Sequence, residues 1–140
     1  MVKKFVDSWE KRKKEVEDYI KNTPQEAYST YTDLVKILVD KVVNPCLTDE
    51  WCEYDLTRIH VIDDGDYQGT QVFLVPEDAY QPSKYLITSV SYGSCSGCDT
   101  LKAISGYDDG LPNERQVKDY MTLILHILQK VKIWDNYEED

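Results

Sequence analysis

Residues 54–62 read Tyr-Asp-Leu-Thr-Arg-Ile-His-Val-Ile, and at this point the apolar spacing of the chain changes. Upstream it follows the turn of a helix; here it is β-branched and partly alternating, the pattern of a strand. Asp63-Asp64-Gly65-Asp66 supplies a turn, and Gln71-Val72-Phe73-Leu74-Val75 a second strand closed by Pro76. Pro82-Ser83 introduces a third, over residues 84–92. Three strands in succession predict an antiparallel β-meander over 52–92, and a sheet this small needs helices on one face to be stable. The expected fold class is therefore α+β, one domain over 1–140.

Working outward, the N-terminal side is helical. Phe5, Trp9, Val16 and Ile20 form one stripe, with charges filling the other faces. The Lys11–Lys14 run is interleaved with Glu10, Glu15 and Glu17, which makes it a solvated face with near-neighbour ion pairs. Thr23-Pro24-Gln25-Glu26 has the form of a capping box with Pro at the first helical position. It predicts a second helix over 24–43, stopping before Asn44-Pro45, with Tyr28, Tyr31, Leu34, Val35, Leu38 and Val42 on one face. Residues 1–43 then make a helical hairpin with a short link at Asn22 and Thr23. On the C-terminal side, 93–140 reads as a Cys-containing turn, a loop at Asp108-Asp109-Gly110, and a long helix over 114–132 packed on the sheet. Val117, Met121, Ile124, Leu125 and Leu128 point one way, widened by Tyr120, Leu123 and Ile127.

Composition excludes several functions. Of 140 residues, 16 are Lys or Arg and 26 are Asp or Glu, a formal charge of −10. Residues 1–21 carry +2, so the rest carries −12. An acidic chain does not bind duplex nucleic acid by neutralising phosphates. Eleven Tyr and three Trp bring too much burial for a disordered acidic tail. No run of 18 apolar residues predicts a bilayer span. Met1-Val2-Lys3-Lys4-Phe5 lacks an apolar signal core, so a cytoplasmic chain with reduced thiols is expected.

One passage has unusual local content: Tyr92-Gly93-Ser94-Cys95-Ser96-Gly97-Cys98-Asp99-Thr100-Leu101, a strand end followed by two Gly around two Cys. Three interpretations stay open. Cys95 and Cys98 have the spacing of half a zinc site, with Cys46 and Cys52 as the remaining thiols and His60 or His126 as substitutes. The strand–Cys-x-x-Cys–helix order is also that of thioredoxin-like proteins, but the rest of the chain offers no further strands of that fold. Otherwise the two thiols are small packed residues in a tight turn, with Gly93 and Gly97 allowing close backbone approach and Asp99 capping a short helix. This Tyr-Gly-Ser-Cys-Ser-Gly-Cys-Asp stretch, with Tyr85-Leu-Ile-Thr-Ser-Val-Ser91 before it, resembles a motif of small proteins encoded by bacteriophages. The resemblance covers about a fifth of the chain and implies a phage origin and a host cytoplasm; it implies no reaction.

Charge and resemblance together give the functional expectation. A small acidic phage-type protein acts without catalysis, binding and inhibiting a host defence or nucleic-acid-handling protein by occupying its basic surface. The acids concerned are Asp49, Glu50, Glu53 and Asp55, then Asp63, Asp64 and Asp66 beside Tyr67, then Asp108 and Asp109 beside Tyr107. Tyr is a favoured interface residue. The alternative is a metal-binding (zinc) or small-anion/nucleotide-binding domain, using the turn from Gly93 through Asp99. No cofactor is otherwise implied. His60 and His126 have no nucleophile at a catalytic spacing, and no phosphate-binding or dinucleotide fingerprint occurs.

Overall fold

Helix α1, Lys3–Asn22, forms as its stripe requires: Phe5, Trp9, Val16 and Ile20 are buried, while Lys13–Glu10 and Arg12–Glu15 pairs lie on the wet side. The computed structural model describes residues 3–47, 53–65, 69–93, 100–105 and 110–135. Ser8 is buried on the same stripe and its hydroxyl donates to the Val42 carbonyl at 2.6 Å. Tyr28 places its hydroxyl 2.9 Å from the carbonyls of Ile20 and Thr23, at the other end of the helix. Residue 8 beside 42 and 20 beside 28 mean that the chain returns antiparallel, as a helical hairpin does.

The second arm differs from the expected 24–43 helix. Thr23 lies in a bend, Gln25–Tyr28 form one 3₁₀ turn, and α2 is Tyr31–Leu38. Its cap is Thr30, whose hydroxyl accepts from the Asp33 amide while Asp33 accepts from the Thr30 amide. The physical reason lies at Gln25, which is buried. Its amide and its side-chain Nε2 both donate to the Gly110 carbonyl, at 3.0 and 3.2 Å, and its Oε1 accepts from the Tyr120 hydroxyl at 2.7 Å. Tertiary bonds hold this turn, and the helix starts at the next capping box. After α2 the coil widens into a π turn, Val39–Val43, then tightens into a 3₁₀ turn, Asn44–Leu47. Asn44 pins residue 54 through both its amide groups, accepting from the Tyr54 N–H at 2.8 Å and donating to its carbonyl at 3.1 Å.

The sheet has four strands among the described residues, not three. β1 (His60–Asp63), β2 (Gly69–Pro76), β3 (Lys84–Tyr92) and β4 (Lys132–Asp135) pair antiparallel in sequence order. Two expectations are corrected by this. The first strand is shorter than 54–62, because Asp55 accepts from the Thr57 amide and caps a 3₁₀ turn at Leu56–Arg58. The final helix stops early: α4 is Glu114–Gln129, and the chain then reverses to lay Lys132–Asp135 against Lys84–Ile87 of β3. A short six-residue helix, α3 (Thr100–Ser105), precedes α4.

Helices cover one face of this sheet. Phe73, Val75, Leu86, Thr88 and Val90 point inward and are buried, and Thr88 Oγ1 donates to the Ile127 carbonyl of α4 at 2.8 Å. Burying a ring such as Phe73 contributes ~3 kcal/mol. Helix α4, capped by the Asn113–Gln116 box, contacts α1, α2, α3 and β3 and buries Val117, Tyr120, Leu123, Ile124, Ile127 and Leu128. It is the central helix that its wide stripe predicts. No helix among the described residues is long and apolar enough to cross a membrane.

Candidate functional site

Among the described residues, the opposite face of the sheet is open to solvent at both edges. Register puts His60 and Ile62 of β1, Val72 and Leu74 of β2, Tyr85 and Ile87 of β3, and Lys132 and Trp134 of β4 on that side. A half-wet antiparallel sheet ordinarily turns polar residues to water. This one turns Thr70, Ser89 and Ser91 outward at one end and a diagonal row of apolar residues across the rest. Ile62 is 47% exposed and Trp134 48%, while Val72, Leu74, Tyr85 and Ile87 between them are partly buried. Tyr85 and Trp134 pack ring against ring, 5.6 Å between centroids. No carboxylate occupies this face within the described strands, although the chain has 26. The acids sit at its ends instead. β2 spans about 23 Å at ~3.3 Å per residue, so the acidic ends stand roughly that far apart.

At one end the chain is clamped. Asp55 accepts from the Thr57 hydroxyl at 2.6 Å, the Thr57 amide at 2.9 Å and Arg58 Nε at 2.7 Å. These bonds hold its carboxyl down at about 2, the Thr57 hydroxyl contributing most. Arg58 Nη2 donates in turn to the carbonyls of Glu77 and Ala79, tying residues 55–58 to the β2–β3 connection. Glu77 accepts from the amide and hydroxyl of Ser83 across that connection. Glu53 is exposed, and its carbonyl accepts from the Asp78 amide at 2.7 Å.

At the other end Asp63 and Asp64 organise the β1–β2 turn. Asp63 accepts from the Tyr92 hydroxyl at 2.5 Å, the Gly65 amide at 3.1 Å and Gln71 Nε2 at 3.3 Å. Its carboxyl is held below the usual carboxylate range, mainly by the Tyr92 hydroxyl. Asp64 accepts from the Thr70 amide at 2.9 Å. Gly69 is required by the close approach: a Cβ there would stand 2.8 Å from Gly65 Cα and 3.0 Å from Asp64 Oδ1. These two acids face solvent while being fixed by internal bonds.

Thus the structure brings Glu53 and Asp55 together with Glu77 and Asp78 at one end, and places Asp63 and Asp64 at the other. Gly93 is buried at the end of β3. Cys46 is partly buried, its thiol donates to the Val43 carbonyl at 3.0 Å, and burial pushes the thiol's pKa up. Asp49, Glu50, Cys52, Asp66, Tyr67, Cys95, Gly97, Cys98, Asp99, Tyr107, Asp108 and Asp109 lie outside the described residues. Among the described residues no three metal-ligating side chains stand together. His60 and His126 are both exposed, one on the open sheet face and one on α4. The residues that sequence reasoning passed over are Ile62, Tyr85 and Trp134. Ile62 and Tyr85 stand in strand-like runs whose uncovered face is not a local property, and Trp134 lies in a segment that only pairing with β3 makes a strand. Compared with known protein families, curated proteins and solved structures, the chain matches none.

Proposed function

We propose that this chain is a non-enzymatic binding protein that occupies a host protein in the manner of a phage inhibitor, with its open sheet face as the contact surface. The observation that carries the proposal is the exposed apolar row from Ile62 to Trp134. Uncovered apolar surface of this kind, rimmed by charge, marks an interaction site. The acidic ends complement a partner whose own apolar patch is bordered by Lys and Arg, and they accelerate encounter with it. A second copy is the weaker occupant. The face alone, four strands at ~4.8 Å spacing and this strand length, offers only about 400 Å² against roughly 800 Å² for a standard stable interface, so a partner must also engage the acidic ends, which a second acidic copy repels. Each copy would also bring a charge of −10 to the other.

The test is capture from a bacterial extract by the immobilised chain, followed by kinetics with the purified partner. Ile62→Ala combined with Trp134→Ala should speed dissociation at least about tenfold, since apolar anchor side chains act mainly on the off-rate. Asp64→Asn with Glu53→Gln should slow association and flatten its salt dependence. A partner that is retained equally by the Ile62/Trp134 variant overturns the sheet-face reading. Affinity unchanged from low to high salt overturns the part played by the acids.

A further inference from the structure

The clamped end of the open face has a chemistry that the apolar row lacks. A depression of about 430 Å³ lies there, lined by Leu74, Pro76, Pro82 and Tyr85 together with Arg58 and His60. That size and composition are those of a site for a small group, apolar with a few placed polar atoms. The guanidinium of Arg58 is already held. Asp55 takes Nε, and the Glu77 and Ala79 carbonyls take Nη2. Nη1 retains two N–H groups with no acceptor among the described residues. A fixed Arg loses little freedom on accepting one more partner, and Nη1 offers a carboxylate one charged hydrogen bond.

We propose that this depression takes a bulky apolar C-terminal residue of the bound protein, with the side chain against Pro82 and Tyr85 and the α-carboxylate on Arg58 Nη1. This rests on the docking reading for its biological source. Its chemistry stands alone: a held cation beside an apolar hollow selects an apolar group that carries its own negative charge. Glu53, Asp55, Glu77 and Asp78 at this end oppose an anion, so the guanidinium contact and the apolar hollow must outweigh them; the rest of the chain's charge is screened beyond about 8 Å at physiological salt. Asp55 neutralises the Nε edge of Arg58 and leaves the Nη1 edge outside that pair.

The experiment needs no partner. A flexible pentapeptide ending in Phe with a free carboxylate is titrated into the isotope-labelled chain, alongside the same peptide ending in a carboxamide. The acid should shift the resonances of Arg58 Nε–H, Leu74 and Tyr85, and the amide should bind at least about fivefold more weakly, the loss of one charged hydrogen bond. Arg58→Gln also removes the clamp, so Tyr85→Ala serves as the second variant; it leaves Arg58 and its partners in place and should abolish the shifts. Equal binding of acid and amide, shifts outside the depression, or none up to about 10 mM, overturns the proposal. If N-acetyl-phenylalanine binds and the pentapeptide does not, the peptide source is overturned. The docking reading fails differently, through a partner retained by the Ile62/Trp134 variant.

Discussion

Tyr120→Phe isolates one buried hydrogen bond. The ring keeps its volume and its edge-to-face packing on Tyr28, where the centroids are 5.0 Å apart, so no cavity opens. What goes is the hydroxyl that donates to Gln25 Oε1 at 2.7 Å. Gln25 is only 2% exposed, and its Nε2 is held on the Gly110 carbonyl, so the amide cannot swing out to water without breaking that bond as well. A neutral buried hydrogen bond contributes ~1 kcal/mol, and stranding its acceptor raises the cost toward ~3 kcal/mol. At roughly 3 °C per kcal/mol for a domain of this size, the expected fall in Tm is about 3–9 °C. Calorimetry on the single variant measures this. Gln25→Met in the Tyr120→Phe background removes the stranded acceptor and should recover part of the loss, so the pair should couple by about 1 kcal/mol. A Tyr120→Phe variant melting with the parent, or two losses that simply add, would refute the reasoning that this bond holds the turn at Gln25.

The helix cap gives a sharper contrast. Thr30→Ala should cost about 1 kcal/mol in urea unfolding, while Thr23→Ala, outside any cap, should cost much less; the reverse order would put the start of α2 back at Thr23. Gly69→Ala forces a Cβ against the Gly65 backbone, so the β1–β2 turn must shift, and a loss of roughly 1–3 kcal/mol is expected from denaturant melts. Asp55 and Asp63 have folded pKa values below their unfolded ones, so their contribution is present above about pH 4 and is lost as pH falls through the folded values. Carboxyl resonances should show Asp55 titrating near 2 and Asp63 below the exposed acids; ordinary values would mean that the turn bonds do not form in solution.

How much of this was legible follows from the range of each interaction. The α1 stripe and the wide α4 stripe are local patterns, and both helices form where those patterns lie. The start of α2 was not legible, because Thr23-x-x-Glu26 and Thr30-x-x-Asp33 are both capping signals and the choice is made by Gly110 and Tyr120, far along the chain. β4 is four residues at a helix end, and only pairing with Lys84–Ile87 makes it a strand. The Arg58 clamp joins residues 19 and 21 positions apart, which no spacing rule reports. The open face was hidden for a different reason. Gln71 to Val75 reads as a nearly continuous apolar run, the signature of a strand covered on both sides, and sequence does not say which side lacks its cover.

The place of β4 in the sheet bears on how the molecule assembles. β1, β2 and β3 are joined by short connections and can pair as two successive hairpins, contacts that close small loops. β4 reaches β3 only after the chain has passed through α3 and α4, so its pairing closes the largest loop in the sheet. Trp134 rides on that last strand, and with it the ring that stacks on Tyr85. The apolar row is therefore complete only once that long-range pairing has formed. Chains still on the way to the native state present Ile62, Val72 and Leu74 without the aromatic half of the surface, so the proposed partner would meet the full row only on molecules whose core is closed.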